Sequence, residues 1–436
     1  MSKILVSFFL GTGEDKLLNF YEGFLDSLKT EGNDVRYIVT NNFLDTPWNG
    51  ENNLKKNINS SKLESYIQDY APNLCISFNN SIPDIVVANL GCPIILWHAD
   101  TYIYFNGKKK LEKNPSRYFY VCPFESDVKR IKKHLSVKDD YILRIIPGTA
   151  IQSDDSSVSS DISFIGSMFY IHNSKDLLRE VESPSQVMSV AQELCSGEKS
   201  LREILSDRGY DDFPDSLNEV NLIDIYSIHQ RNSLISNLSD MNLKVYGKSE
   251  FFSWSDFGAY LPMVSMCFQD KDVYSLKHNQ DIYNQSKISI NISHAQAKEG
   301  FPWRVFDIMA SNSCLISDKR LGIKQFTSEY VDIPMYESIH DARELCKRIL
   351  KDDLWRSEIV TGSQKCINEK GRWSHRFKEI EDRVPVKIVN DENKIGTLKK
   401  IDYRDYLVVE NKEAVSQPNA SRIACYIKKV LKKNKV

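Results

Sequence analysis

Between residues 291 and 308 the chain reads NISHAQAKEGFPWRVFDI, a concentration of groups suited to an anionic, hydroxylated ligand. Arg304 carries a planar fork of donors that matches phosphate oxygens, while Glu299 and Asp307 are carboxylates, the strongest acceptors for a pair of neutral hydroxyls. His294 adds a ring able to contact phosphate or sugar. Ile288 to Ile292 reads as a strand, and Pro302 stands where a first helical turn accepts proline. The helix is expected to run through Arg304, Phe306, Asp307 and Met309 to Asn312. Its N-terminus, with unpaired N–H groups and the positive end of the dipole, then faces a cleft where it can hold a diphosphate.

A second set of reactive types stands at LWHAD, where His98 and Asp100 end an apolar run. A histidine there can serve as a base or a hydrogen-bond donor, with the carboxylate orienting it. Asp100 itself is the alternative base, and a structural histidine capped by Asp100 explains the pair equally well. In CPFESDVKRIKKH, Glu125 is a candidate acceptor contact, and Ser126-Asp127 is preferred as a helix N-cap. No D-x-D ends a strand and no Cys or His spacing makes a zinc site, so neither metal nor cofactor is expected. The charge of a leaving group then falls to Arg304, the helix N-terminus and backbone donors.

The elements around these groups follow from alternating apolar and polar runs. The chain opens MSKILVSFFLGTGEDK, and further strands are expected at VRYIVT, LCISF, PIILWH, YFYVC and YILRIIP, with helices between, the pattern of a doubly wound parallel sheet. Gly11-Thr12-Gly13 after the first strand suggests a dinucleotide fingerprint, but Lys16 stands where its third glycine belongs. Glu14 and Asp15 would also repel a phosphate. A polar connection, QSDDSSVSS, separates a first domain, residues 1–155, from a second alternating series at DISFIGS, LKVYGK, ISINIS, SCLISD and VDIPMY in residues 156–384. Roughly sixty charged and Ser-rich residues near 170–230 exceed any ordinary βα loop and read as a helical insertion. Residues 385–436 read as a small β appendage and a basic amphipathic helix, with Ile423, Ile427, Val430 and Leu431 on one face and six Lys or Arg around them. Such a helix suits an anionic membrane surface or a docking role.

At 436 residues, two α/β domains are the natural size, and a net charge of −2 argues against nucleic acid as a partner. Nine scattered cysteines without a C-x-x-C pair point to a reducing cytoplasm. No apolar run reaches the ~20 residues of a membrane span, and no signal peptide opens the chain.

Taken together, Glu299 and Asp307 in an E-x7-D arrangement, with Gly300, Arg304 and Phe306 between them and ASNSCLIS after them, resemble the nucleotide-sugar motif of GT-B glycosyltransferases, especially the family-4-like and CgeB-like group. The resemblance covers residues 1–384 apart from the insertion. It implies two Rossmann-like domains facing across a cleft and transfer of a sugar from a nucleotide-diphosphate donor to a saccharide or lipid-linked saccharide in bacterial surface polysaccharide synthesis. Retention and metal independence are further implications. Glu299 would lie near the donor sugar and Asp307, usually Glu in the family, at the ribose. Gly166, Ser167, Gly247, Lys248, His294, Gly300, Phe301 and Arg304 would line the donor site, and Gly11, Thr12 and Gly13 the acceptor side. A nucleotide-sugar epimerase, or an inactive sugar- or nucleotide-binding protein, are the competing expectations.

Overall fold

The computed structural model describes residues 1–10, 16–47, 50–167, 183–197, 199–210, 213–214, 216–247, 262–269, 273, 275–390 and 394–408. Its strands are short apolar runs, as parallel strands covered on both faces must be. The first sheet holds β1 (Lys3–Phe8), β2 (Asp34–Val39), β3 (Leu74–Phe78), β4 (Ile94–Trp97), β5 (Tyr118–Val121) and β6 (Ile142–Leu143). The second holds β7 (Ser160–Ile165), β8 (Leu243–Tyr246), β9 (Phe268–Gln269), β10 (Ser286–Asn291), β11 (Cys314–Asp318) and β12 (Met335–Tyr336). Its order, β12-β11-β10-β7-β8-β9, reverses direction between β10 and β7, and the crevice at that switch point is where open α/β sheets take ligands.

The first sheet has the order β13-β2-β1-β3-β4-β5-β6, and its outermost strand comes from the far end of the chain. β13 (Thr397–Lys400) pairs parallel to β2, with Thr397 opposite Asp34 and Lys400 opposite Tyr37. Gly396 leads into it so close to Asn33 that a Cβ would stand 1.9 Å from the Asn33 carbonyl oxygen. Covering the β2 edge corrects the expectation of a separate appendage after residue 384, because an unpaired edge is a liability that pairing removes. The boundary shifts for a second reason. Helix Trp373–Glu381 buries Trp373, Phe377 and Ile380, with Val384 and Ile388 after it, among Phe24, Trp97 and Leu143 of the first lobe. The described residues from Trp373 to Val408 therefore belong with the first lobe.

The described part of the segment near 170–230 is helical, with Pro184–Ser196, Leu201–Arg208 and the start of Glu219–Leu238. These three bury a small core of their own around Val187, Val190, Ile204 and Leu222, against which Ile103 and Ala295 pack. The eight described cysteines are free thiols. Among the described residues, no helix is long and apolar enough to cross a membrane. The predicted basic helix lies outside the described residues.

Candidate active site

A cavity of about 940 Å³ opens between the carboxyl ends of the two sheets, a size suited to a small-molecule ligand. The second lobe contributes Gly166, Ser167, Gly247, His294, Phe301, Arg304 and Asp307 of the expected donor residues. Gly11, Thr12, Gly13 and Lys248 lie outside the described residues.

The helix after β10 begins at Arg304, with Trp303 as its cap, and ends at Ala310, two residues short of the expected Asn312. Ser311 is already extended there. Arg304 sits 5.2 Å from the Phe164 ring centre and 3.3 Å from Asn291 Oδ1, beside Tyr283. A second guanidinium, Arg231 from helix Glu219–Leu238, lies 5.1 Å from the same ring and donates to the carbonyls of Ser167 and Ile292. Burial lowers the pKa of both, and Arg304 lowers that of Arg231 further by repulsion. Gly166 is small for a reason: a Cβ there would stand 2.8 Å from the Phe164 ring and 3.0 Å from Arg304 Nη2.

Asp307 is only 5 % exposed and joins the lobes. Its Oδ1 accepts from the Thr149 hydroxyl at 2.6 Å and its Oδ2 from Asn19 Nδ2 at 2.8 Å. The expected ribose role is thereby altered, because each oxygen already serves an interlobe bond. Burial nevertheless pushes the carboxyl up to about 6. The folded chain thus keeps a proton there that the unfolded chain has released. The stability this contributes is complete below about pH 4 and lost as pH rises through 6. Against Asp307→Asn, which has no such titration, the native protein is expected to lose on the order of 2 kcal/mol between pH 4 and 7. Urea midpoints measured across that range check this, and a difference that stays flat with pH refutes it.

Glu299 departs furthest from expectation. It does not line the cavity. Its Oε1 accepts the backbone N–H of Ser126 at 2.7 Å, in the first turn of helix Glu125–His134, so it caps a helix of the opposite lobe. An ionised carboxylate at a helix N-terminus is favourable, which explains the placement. It also corrects the expected Ser126-Asp127 cap: the cap position is Phe124, without a side-chain bond, and Ser126 and Asp127 stand inside the turn. Gly300 makes the approach possible, since a Cβ there would meet the Phe124 ring at 2.4 Å.

On the first lobe, β4 ends at Trp97, and His98 and Asp100 line the cavity from the turn that follows. They do not form the expected pair. Asp100 Oδ2 accepts from Asn79 Nδ2 at 2.7 Å and Oδ1 from Gln296 Nε2 at 2.9 Å. His98 is 4 % exposed, with Nε2 at 3.8 Å from Cys122 Sγ and, among the described residues, no hydrogen-bond partner at Nδ1. Burial, helped by Arg130, pulls its imidazole down to about 3, too weak for a base at neutral pH. His294 also lines the cavity, yet both its ring nitrogens meet protein groups, Asp224 Oδ1 at 3.0 Å and the Gln296 N–H at 3.2 Å. A direct bond from it to a donor is therefore not available in this arrangement. Glu125 points outward to Arg144.

Sequence reasoning did not find Arg231, Asp127 or Trp303 as cavity groups. Asp127 lines the cavity with its carboxyl pushed up to about 6 by burial, against the pull of the Phe124 N–H and Arg130. Trp303 is the plug between lobes, its ring 4.6 Å from Phe20 and 5.5 Å from Trp373. The only sequence signal for Trp303 was its place beside Pro302. Among the described residues no three His, Cys, Asp or Glu side chains gather as a metal site.

Two Rossmann-like sheets facing across such a cavity make up the GT-B fold. Residues 231–382 match the family model described as glycosyl transferase-like. That description is coarser than the family-4-like, CgeB-like group that the motif resembles. The chain is similar in structure to sucrose-phosphate synthase from Thermosynechococcus elongatus, with a TM-score of 0.51 and 7% identity, over 88% of this chain and 98% of that one. It is likewise similar to a glycosyltransferase from Rickettsia africae ESF-5, with a TM-score of 0.50 and 11% identity, over 90% of this chain and 99% of that one. No curated protein matches the chain in sequence.

Proposed function

We propose that the protein is a glycosyltransferase that moves a sugar from a nucleoside-diphosphate sugar to a saccharide or lipid-linked saccharide in bacterial surface polysaccharide synthesis. The observation that carries this reading is the pair of buried guanidinium groups, Arg231 and Arg304, set against one ring at the wall of the interlobe cavity. Two cations held together out of water are costly, and a diphosphate repays the cost. As the acceptor hydroxyl oxygen bonds to the anomeric carbon, the bond from that carbon to the diphosphate breaks, and the hydroxyl proton passes to the departing diphosphate on the same face. The electron pair leaves on the phosphate oxygen, where the two guanidiniums meet it. This assigns the leaving-group charge to side chains and not to a metal ion. We read the transfer as retaining, on the motif's resemblance. Asp100 and Asp127 are the carboxylates an inverting transfer would use, and the anomeric proton coupling of the first product distinguishes the two.

A thermal-shift panel of UDP-, GDP-, ADP- and CMP-sugars, followed by transfer assays with the nucleotide that binds, tests the proposal. One nucleotide class should raise the melting temperature, and EDTA should leave turnover unchanged. No shift with any of them sinks the donor reading, and turnover abolished by EDTA and restored by magnesium sinks the assignment of charge.

The amphipathic pattern of residues 421–436 supports a peripheral site of action on the inner face of an anionic membrane. A truncation that tests it must start at residue 409, because β13 and the buried Ile401 and Tyr406 belong to the first lobe. Loss of residues 409–436 should abolish sedimentation with vesicles containing phosphatidylglycerol. Unchanged sedimentation removes the membrane part alone.

A further inference from the structure

Helix Glu219–Leu238 lays one face along the loop that follows β10. Asp224, Ser227 and Arg231 recur at i, i+3 and i+7 and so share that face. Arg231 holds the Ile292 carbonyl at 2.9 Å, and Ser227 Oγ accepts the Ala295 N–H at 2.9 Å. Asp224 Oδ1 lies 3.0 Å from His294 Nε2 and accepts the Tyr104 hydroxyl of the first lobe at 3.3 Å. The tautomer of His294 follows from its other side. The Gln296 backbone N–H can only donate, so Nδ1 accepts it and the ring proton sits on Nε2, pointing at Asp224.

Gln296 then crosses to the opposite lobe. Its Nε2 donates to Asp100 Oδ1 at 2.9 Å, and its Oε1 accepts the Thr101 N–H at 3.3 Å. Asn79 holds the remaining Asp100 oxygen from a left-handed backbone, φ 52°, and its own Oδ1 accepts the N–H groups of Ala99 and Asp100. A non-glycine residue costs free energy in that region, and the surrounding bonds are what keep it there. An unbroken series of bonds thus runs from Asp224 through His294 and Gln296 to Asp100 and Asn79. Its first member sits in the helical segment that the two sheets do not require.

We propose that Asp224 is a positioning residue which, through His294 and Gln296, fixes the orientation of the Asp100 carboxylate in the cavity. The proposal rests on the reading of this cavity as the transfer site. Without a carboxylate at 224 the imidazole is free to rotate, the Gln296 N–H loses its acceptor, and the Gln296 side chain no longer has a fixed origin from which to reach Asp100. Asp224→Asn keeps an oxygen that can accept from both His294 and Tyr104, whereas Asp224→Ala keeps none.

Full-length protein labelled with ¹⁵N at histidine and glutamine gives a readout that needs no substrate. His294 should show the Nε2–H tautomer, and Asp224→Ala and Asp100→Asn should each move the Gln296 side-chain amide cross-peak. Asp224→Asn should return it to the native position. In hydrolysis of UDP-glucose, GDP-mannose or ADP-glucose, Asp224→Ala should lower kcat about tenfold with KM unchanged. The double variant with Asp100→Asn should be no slower than Asp100→Asn alone. A Gln296 cross-peak indifferent to Asp224→Ala, or a double variant whose loss is the product of the two single losses, overturns the proposal. If none of these nucleotide sugars binds or turns over, the transfer reading fails while the amide cross-peak still decides the positioning.

Discussion

If the diphosphate of a donor sits on Arg304 as proposed, Arg304→Met is expected to abolish the stabilisation that a nucleoside diphosphate gives and to slow transfer by about 10²–10³-fold, the loss for one preorganised donor to a developing charge. The ligand-free variant should nonetheless melt no lower than the native protein. Arg304 and Arg231 lie within 5.2 and 5.1 Å of the Phe164 ring centre; burial lowers both pKa values, and repulsion from Arg304 lowers that of Arg231 further. Methionine fills similar space, removes one of the two buried charges and keeps an apolar contact with Phe164. At a ligand concentration of ~100 times Kd, the native protein gains about 2.7 kcal/mol and the variant gains little. Melting curves with and without the nucleotide, on both proteins, check the two halves of this result. A variant that still responds fully to nucleotide would place the diphosphate elsewhere, and a large fall in the ligand-free melting temperature would make Arg304 a structural group.

Trp373→Ala is expected to cost about 3–5 kcal/mol, the range for removing a large aromatic side chain from a core. Trp373 is 2 % exposed, and its ring lies 5.0 Å from Phe24, 5.7 Å from Trp97 and 5.5 Å from Trp303, all edge-to-face. The backbone of Gly148 runs alongside so closely that a Cβ there would stand 2.9 Å from the Trp373 nitrogen. Because Trp303 belongs to the second lobe and Phe24 and Trp97 to the first, the hole opens at the seam between them. Urea unfolding followed by tryptophan fluorescence and by far-ultraviolet circular dichroism should give one transition for the native chain and two for the variant. A loss below about 1 kcal/mol would show that the seam does not depend on this ring.

Much of the fold was readable because parallel strands bury both faces and so appear as unbroken apolar runs. LCISF became β3 without change, and ISINIS became β10, shifted by two residues. β13 was read as part of a separate β appendage because nothing local tells that its partner is β2, more than 350 residues earlier. The site divides along the same line. Arg304 was found because its neighbours, a strand before and a helix start at it, are local. Glu299 was assigned to the cavity because its own sequence neighbourhood is that of a donor loop, but its partner is a backbone N–H in the other lobe. The Asp100 carboxylate was expected to serve His98, two residues away; the turn after β4 aims it at Asn79 and Gln296 instead. Arg231 could not be distinguished from the other charges of a long helix, since its role comes from contacts distant in sequence, with the Phe164 ring and the carbonyls of Ser167 and Ile292.

The return of residues 373–400 to the first lobe also governs how the protein is made. The first six strands leave the ribosome early, yet the edge of β2 and the space around Phe24 stay open until residues 373–400 have been synthesised. At ~5–20 residues per second, that interval is on the order of tens of seconds. Throughout it, the nascent chain presents an unpaired parallel edge and a cluster of uncovered aromatic rings, surfaces that other chains can join. Yield in the cell should therefore depend on chaperone supply more than the stability of the finished protein would suggest.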